Sequence, residues 1–366
     1  MKKTILLFGK LPPPYIGPSV ATEIILNSEL KKYYNIVHFD TSHHRTLDQL
    51  GKFSFKNFFF PLFLYARLIL YIIKISPDIV YIPSQQTTIA YLRDIPFFII
   101  IKLFRKKLVC HLRGGYFLKF YEECNSFMKA IIRIVQKYID AQIVLGQNLI
   151  PLYEKFMDVN KIFVVPNGRD FSFNQKVDND CNKLNILFLG NLIREKGIID
   201  FIKSAIIILK KGYRNISFQF AGNQYDCKKE IEDLMSKNSS LDLINVGPVN
   251  GDSKIKLIQD ADIFVFPTYY RNEGHPWVIV EALAAGLPII STDWGAITES
   301  VIDGDNGFIV SSKNPNSISQ KIEELIKNEK LRNEMGKKSR FLYECKFTQK
   351  KLVANLKHVF DSVLIK

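Results

Sequence analysis

Glu273 and Glu281, eight residues apart, are the side chains of this sequence best placed to do chemistry. Spacing alone is weak, and the flanks carry the signal. Gly274 and Pro276 read as the loop and first turn of a helix that continues through Ala285 and stops at Gly286. Glu273 then stands at the helix entry and Glu281 two turns inside, about 10 Å further along the axis at 1.5 Å per residue. One extended ligand can meet both. The backbone N–H groups of Gly274, His275 and Trp277 suit a diphosphate, and each carboxylate can accept hydrogen bonds from sugar or ribose hydroxyls. The plainer alternative is a loop glutamate and a solvated helix glutamate with no shared task.

The elements that must position these residues are legible as a rhythm. Short β-branched runs recur, each ended by a polar or glycine turn and each separated from the next by enough chain for a helix, as in parallel βαβ units. They lie at 4–8, 35–39, 78–82, 107–111, 141–145 and 162–165, then at 185–189, 217–221, 241–246, 262–266, 287–291 and 307–310. Six and six predict an α/β chain of two doubly wound parallel-sheet domains facing across a cleft. The polar stretch 174–183 after Asn167-Gly168-Arg169-Asp170 puts the boundary near residue 172, giving domains 1–172 and 173–345. Helical spacing marks 317–331 and 350–364, and 346–366 is expected to cross back to the first domain.

Open parallel sheets bind ligands at the carboxyl ends of their strands, so polar motifs should follow strands. They do: Gly9 to Gly17 follows the first, His111-Leu112-Arg113-Gly114-Gly115 ends and follows the fourth, Gly190 to Gly197 follows the seventh, and Gly222-Asn223 the eighth. Glu273 comes after the tenth.

Composition narrows the class. A chain of 366 residues with 47% hydrophobic and 23% charged residues is an ordinary globular protein of about two domains, not a disordered, collagenous or coiled-coil chain. Five cysteines without a C-x-x-C pair suggest neither disulfides nor zinc and fit a reduced cytoplasm. The short apolar run after Met1-Lys2-Lys3 reads as a first strand rather than a signal peptide. The charge of +14 is lopsided, with 23 Lys and Arg against 12 Asp and Glu in residues 1–170, and 27 against 24 in 171–366. No nucleic-acid-binding motif accompanies it. It lies instead beside the aromatic and aliphatic runs 58–74 and 95–107; Arg67 interrupts the first and the second is too short to span a bilayer. Helices packed on a sheet are the plainer reading. Peripheral contact with an anionic inner-membrane surface is the other, with Lys102, Arg105, Lys106 and Lys107 as its cations. Asp178-Asn179-Asp180 and Asp303-Gly304-Asp305 spell a metal-binding D-x-D, but one falls in the linker and the other in a turn, so no metal is expected.

The stretch from Glu273 to Glu281 with the following Ala-Leu-Ala-Ala-Gly-Leu-Pro, preceded by Asp260-Ala261-Asp262-Ile263-Phe264-Val265-Phe266-Pro267, resembles the C-terminal signature of retaining glycosyltransferases of family four, which have the GT-B fold. The resemblance continues through Val165-Pro166-Asn167-Gly168, Phe188 to Gly197 and Asp303 to Gly307; it covers the second half and the first loop and is thin from 41 to 109. It implies that Glu273 holds the donor sugar near its reacting carbon, that Glu281 binds the ribose, and that Lys196 binds the donor phosphates. His111 matches a histidine near the sugar, and Gly17 the N-terminal glycine loop below the donor. Two residues depart from the pattern: Asn191 stands where members commonly carry arginine, leaving Arg194 as its substitute, and Gly17-Pro18 replaces a glycine pair.

Physical chemistry points the same way. Breaking a glycosyl phosphate bond leaves negative charge on the diphosphate, which Lys196, Arg194 and helix N-terminal amides can stabilise without a metal or other cofactor. Base recognition is expected from backbone and apolar contacts near Val249. His275 is expected to act through its amide, and Trp277 as core more than as a stacking platform; His38, His43, His44 and His358 are read as structural. The expected activity is transfer of a sugar, with retention, from a UDP- or GDP-sugar to a saccharide acceptor, lipid-linked, in bacterial surface polysaccharide assembly. The rivals are a GT-B nucleotide-sugar epimerase, told apart by its product, and a catalytically silent nucleotide-sugar-binding scaffold, which would tolerate Glu273→Ala.

Overall fold

The computed structural model describes residues 2–13, 15–42, 55–173, 183–223 and 226–365, with side chains of the second helix described from residue 60. His43, His44, Cys181, the Asp178-Asn179-Asp180 motif and most of the polar linker lie outside the described residues.

The first unit alternates strands and helices: β1 (Thr4–Gly9), α1 (Gly17–Asn27), β2 (Asn35–Asp40), α2 (Phe55–Ile75), β3 (Ile79–Ser84), α3 (Thr88–Leu103), β4 (Lys107–Leu112), α4 (Phe117–Glu123), α5 (Ser126–Lys137), β5 (Ala141–Val144) and β6 (Ile162–Val164). The second continues with β7 (Leu184–Leu189), α6 (Ile198–Lys210), β8 (Ile216–Ala221), α7 (Lys228–Ser236), β9 (Leu243–Gly247), α8 (Gly251–Gln259), β10 (Ile263–Phe266), α9 (Trp277–Ala284), β11 (Ile289–Ser291), β12 (Gly307–Ile309), α10 (Pro315–Lys327) and α11 (Glu329–Lys346). A last helix, α12 (Gln349–Ile365), groups with the first unit.

Both sheets are parallel and six-stranded, in the orders β2-β1-β3-β4-β5-β6 and β12-β11-β10-β7-β8-β9. Each order reverses direction once, between β1 and β3 in the first sheet and between β7 and β10 in the second. At such a reversal the loops leaving neighbouring strands diverge and open a crevice. β10 is buried throughout and β7 over its last four residues, whereas in the edge strand β9 only Leu243 is buried and the others are partly or fully exposed.

Register is pinned by one device used three times. Asp78, Asp140 and Asp262 each stand just before a strand, and each donates its backbone N–H to a residue at or beside the start of the neighbouring strand while its carboxylate accepts that residue's N–H. The partners are Thr4, Leu108 and Asn185, with carboxylate bonds of 2.8, 2.6 and 2.8 Å. The first N–H of a strand would otherwise lack an acceptor.

In the first unit Val80 and Ile82 of β3 face a core with Leu68 and Ile72 of α2 and Phe97 and Ile101 of α3. Tyr81 points to the other face, where Phe360 of α12 meets its ring at 6.3 Å and that of Tyr34 at 5.6 Å. The division between units falls at Arg169/Asp170 rather than after 172, because Phe171 donates its N–H to the Tyr343 hydroxyl at 3.2 Å and packs with Phe173 on the second core. The C-terminal segment joins the first unit from Gln349 rather than 346, since α11 runs to Lys346 and Phe347 is buried in the second core. The helical run read across 317–331 is interrupted at Asn328, which ends α10 and caps α11 by accepting the Leu331 N–H at 3.0 Å.

Candidate active site

In the second unit the loops after β7 and β10, the two strands flanking the reversal, bring Lys196 and Glu273 together. The β7 loop is held over its neighbours: Gly190 donates to the Ala221 carbonyl at 3.0 Å and Leu192 to that of Asn223 at 2.7 Å. Gly197 closes it with φ +84°, and a Cβ there would sit 2.3 Å from the Pro267 carbonyl oxygen, so only glycine lets the loop lie on the β10 turn. The two loops are then stitched, with the Tyr269 N–H donating to the Glu195 carbonyl at 2.7 Å.

Lys196 Nζ donates to Glu273 Oε2 at 2.5 Å, and Thr268 Oγ1 donates to the same oxygen at 3.1 Å. The ammonium also lies 4.8 Å from the centre of the Tyr270 ring and 5.5 Å from that of Phe266. Glu273 is buried, and no described residue donates to its Oε1. Its main chain is fixed from behind: Ala296 donates to the Gly274 carbonyl at 2.7 Å, and a Cβ on Gly295 would stand 2.2 Å from that same oxygen.

Glu281, inside α9, repeats the pattern. Lys254 of α8 donates to its Oε1 at 2.6 Å, while its Oε2 is buried and has no partner among the described residues. Nothing in the sequence reading singled out Lys254; the signal was only a lysine in a short helix between β9 and β10. Each glutamate therefore has one oxygen engaged by a lysine. The second oxygen of Glu281 is an orphaned buried acceptor, which is costly unless a ligand or water satisfies it.

The surrounding residues take different places. His275 is buried, with Nε2 2.8 Å from Ser300 Oγ and the Phe347 ring 5.1 Å away; burial pushes its pKa down to about 3, so the ring stays neutral and structural. Pro276 is the residue before the helix rather than its first. Trp277, expected in the core, is half-exposed as the first residue of α9, and the core cluster does not include it. The Arg194 guanidinium is paired with Glu230, and its amide donates to Asp226 at 2.9 Å. Asn191 is half-buried at the turn after β7, and Val249 packs partly buried against the core beside the start of α8. In Asp303-Gly304-Asp305, Asp303 accepts the Ile309 N–H and Asp305 pairs with Lys338, which accounts for both carboxylates within the turn. No group of three or more metal-ligating side chains occurs among the described residues.

The first unit places His111 on β4, fully buried, and Gly17 exposed at the first turn of α1 with Pro18 after it. The His111 Nδ1 lies 2.7 Å from the Tyr81 hydroxyl, that hydroxyl accepts from Arg113 at 2.8 Å, and Arg113 also donates to Asn167 Oδ1 at 3.0 Å. With its oxygen taken by the guanidinium, the phenol gives its hydrogen to Nδ1. This network assigns the ring proton to Nε2, which has no partner among the described residues. Burial and the Arg113 charge hold the imidazole well below its usual pKa, so it stays neutral. His38 tethers the β1 loop through Gly9 at 2.8 Å, and His358 packs on Phe163.

Residues 170–341 match the family model of glycosyl transferases group 1. An uncharacterized glycosyltransferase of Methanocaldococcus jannaschii is 31% identical over 257 residues, covering 69% of this chain and 64% of that protein. The capsular polysaccharide biosynthesis glycosyltransferase CapM of Staphylococcus aureus is 30% identical over 181 residues, 48% of this chain and 46% of that one. The chain thus spans less than two thirds of either relative. HepE of Anabaena, solved in complex with UDP, has a similar fold with TM-score 0.72 at 15% identity, covering 98% of this chain and 100% of that one. The paired Rossmann-like units are those of the GT-B fold.

Proposed function

The second unit belongs to the glycosyl transferases group 1, and from that premise we propose that the protein is a retaining glycosyltransferase. It moves a sugar from a UDP- or GDP-sugar to a saccharide acceptor, lipid-linked, in assembly of a bacterial surface polysaccharide. The observation that carries this reading is the pair of lysine–glutamate couples, Lys196–Glu273 and Lys254–Glu281, the second of which leaves the buried Glu281 Oε2 without a partner among the described residues.

On this reading Glu273 Oε1 accepts from a hydroxyl of the donor sugar, and Glu281 Oε2 accepts from the ribose. As the bond from the anomeric carbon to the phosphate oxygen breaks, charge grows on the diphosphate. Lys196 and the amides at the entry of α9 would meet that charge, which leaves no task requiring a metal. His111, neutral and protonated at Nε2, offers a hydrogen bond to a substrate oxygen rather than a base. The UDP held by HepE supports a uridine diphosphate donor, and the capsular role named for CapM supports a polysaccharide acceptor. The basic, apolar first half supports a lipid-linked one.

The test is a mass-spectrometric screen of UDP-, GDP- and ADP-sugars for release of nucleotide diphosphate, with and without detergent-solubilised lipid-linked acceptor and with and without EDTA. Turnover of one donor that needs acceptor, survives EDTA and disappears in Glu273→Ala is the expected result. An isomerised nucleotide-sugar would make it an epimerase, and absence of any release would favour the scaffold.

A further inference from the structure

The helices α2 and α3 lie side by side on the first unit, joined by the Tyr65 hydroxyl donating to the Arg93 carbonyl at 2.6 Å and by Tyr65 against Phe97 at 4.7 Å. Their inner faces fill the core, Leu64, Leu68 and Ile72 from one and Phe97, Phe98 and Ile101 from the other. Their outer faces are also apolar. On α2, Phe63, Leu70 and Ile73 stand in solvent with exposures of 60, 54 and 62%, and on α3 Ile89, Ile99 and Leu103 with 86, 54 and 75%. The spacings are helical, so each helix presents a continuous outer stripe rather than scattered residues. Singly exposed apolar side chains are ordinary, but two adjacent stripes are a surface that calls for a partner.

The charges beside the stripes have one sign. Lys74 and Arg105 are exposed at the ends of α2 and α3, α2 contains no acidic residue, and the one aspartate of α3, Asp94, is buried and paired with Arg93. The cations that the sequence pointed to are mostly engaged elsewhere: Lys102 pairs with Asp140, Lys106 donates to Ser76 Oγ at 2.8 Å, and Lys107 lies half-buried in β4. No helix among the described residues is long and apolar enough to cross a membrane.

We propose that the paired outer stripes of α2 and α3, with Lys74 and Arg105 beside them, lie on an anionic lipid surface. A protein partner would be matched by mixed charge and hydrogen-bonding groups around an apolar centre. This face instead carries long aliphatic and aromatic side chains with cations alone, which inserts shallowly among acyl chains while the cations meet phosphate headgroups. The proposal stands apart from the transfer reaction, because vesicle binding is read with no sugar donor present.

The experiment is co-sedimentation of the full chain with phosphatidylcholine vesicles containing or lacking about 30 mol % phosphatidylglycerol, at low salt and at about 0.5 M NaCl. Wild type should bind the anionic vesicles, more weakly at high salt. Phe63→Asp with Leu103→Asp should lower partition at least about tenfold, and Lys74→Glu with Arg105→Glu by about fivefold per lost charge, at unchanged melting temperature. Because these side chains are exposed, folding should survive; if a variant melts early, the salt and lipid dependence of wild type decides. Equal binding by wild type and both variants, or no preference for anionic vesicles, would overturn the proposal. So would a wild-type dimer that the Asp variant dissociates without any lipid binding, since the face would then join two copies.

Discussion

Replacing Lys254 by methionine keeps most of the side chain's bulk and removes the charge that neutralises Glu281. The pair is 2.6 Å long, with the glutamate side chain 8% exposed and the lysine 29%. Because Glu281 Oε2 already has no partner among the described residues, the variant would leave both oxygens bare in a buried helix. Breaking one side of a buried pair costs about 3–5 kcal/mol, and the lysine's partial exposure moves this to the lower end. A loss of about 3 kcal/mol is therefore expected. Urea denaturation at pH 7 measures it, with the exposed neighbour Lys256→Met as a control that should stay within about 0.5 kcal/mol. If Glu281 binds the ribose, donor KM should also rise about tenfold with kcat less affected, as for lost uniform binding. A stability change below about 0.5 kcal/mol would refute the pairing.

Glu273→Gln should lower kcat by about 10²–10³-fold with little change in donor KM, since Thr268 and Lys196 hold the side chain and only its charge is lost; steady-state kinetics with the donor found in the screen would show it. His275, held near pKa 3 in the fold but titrating near 6.5 when unfolded, stabilises the protein above pH 6.5, and this contribution fades as pH falls. Between pH 6.5 and 5 its share is about 2 kcal/mol, so denaturation curves for His275→Gln should show a flatter pH dependence there than wild type. Gly295→Ala places a Cβ 2.2 Å from the Gly274 carbonyl at φ +59°, and should cost about 2 kcal/mol or more by calorimetry while reducing kcat through the displaced Glu273 loop.

The strand pattern was readable because a parallel strand buried on both faces must be an unbroken apolar run, and each of the twelve runs became a strand within a few residues. Helix ends were harder. Asn328 sits inside a run of helical spacing and breaks it by accepting an N–H three residues on, a local competition that periodicity cannot register. Trp277 was misplaced for a related reason: a large apolar residue at the first turn of a helix can face either way, and only the packing of α9 chooses.

By itself the sequence determined the class of the protein. Six and six apolar runs, the glycine-rich turns after them and the Glu273–Glu281 stretch were enough for two Rossmann-like units and for the glycosyltransferase resemblance, because each is a local pattern. Tertiary structure alone decided which charges meet. Lys254 and Glu281 are twenty-seven residues apart and Lys196 and Glu273 seventy-seven, and Arg194, two residues from Lys196, turns to Glu230 instead. Lys196 and Glu273 pair because their loops leave adjacent strands at the β7/β10 reversal, and strand order is a property of the folded sheet. The same holds for α2 and α3, whose apolar residues look alike along the chain; only their packing on the sheet sorts the buried ones from the exposed stripe.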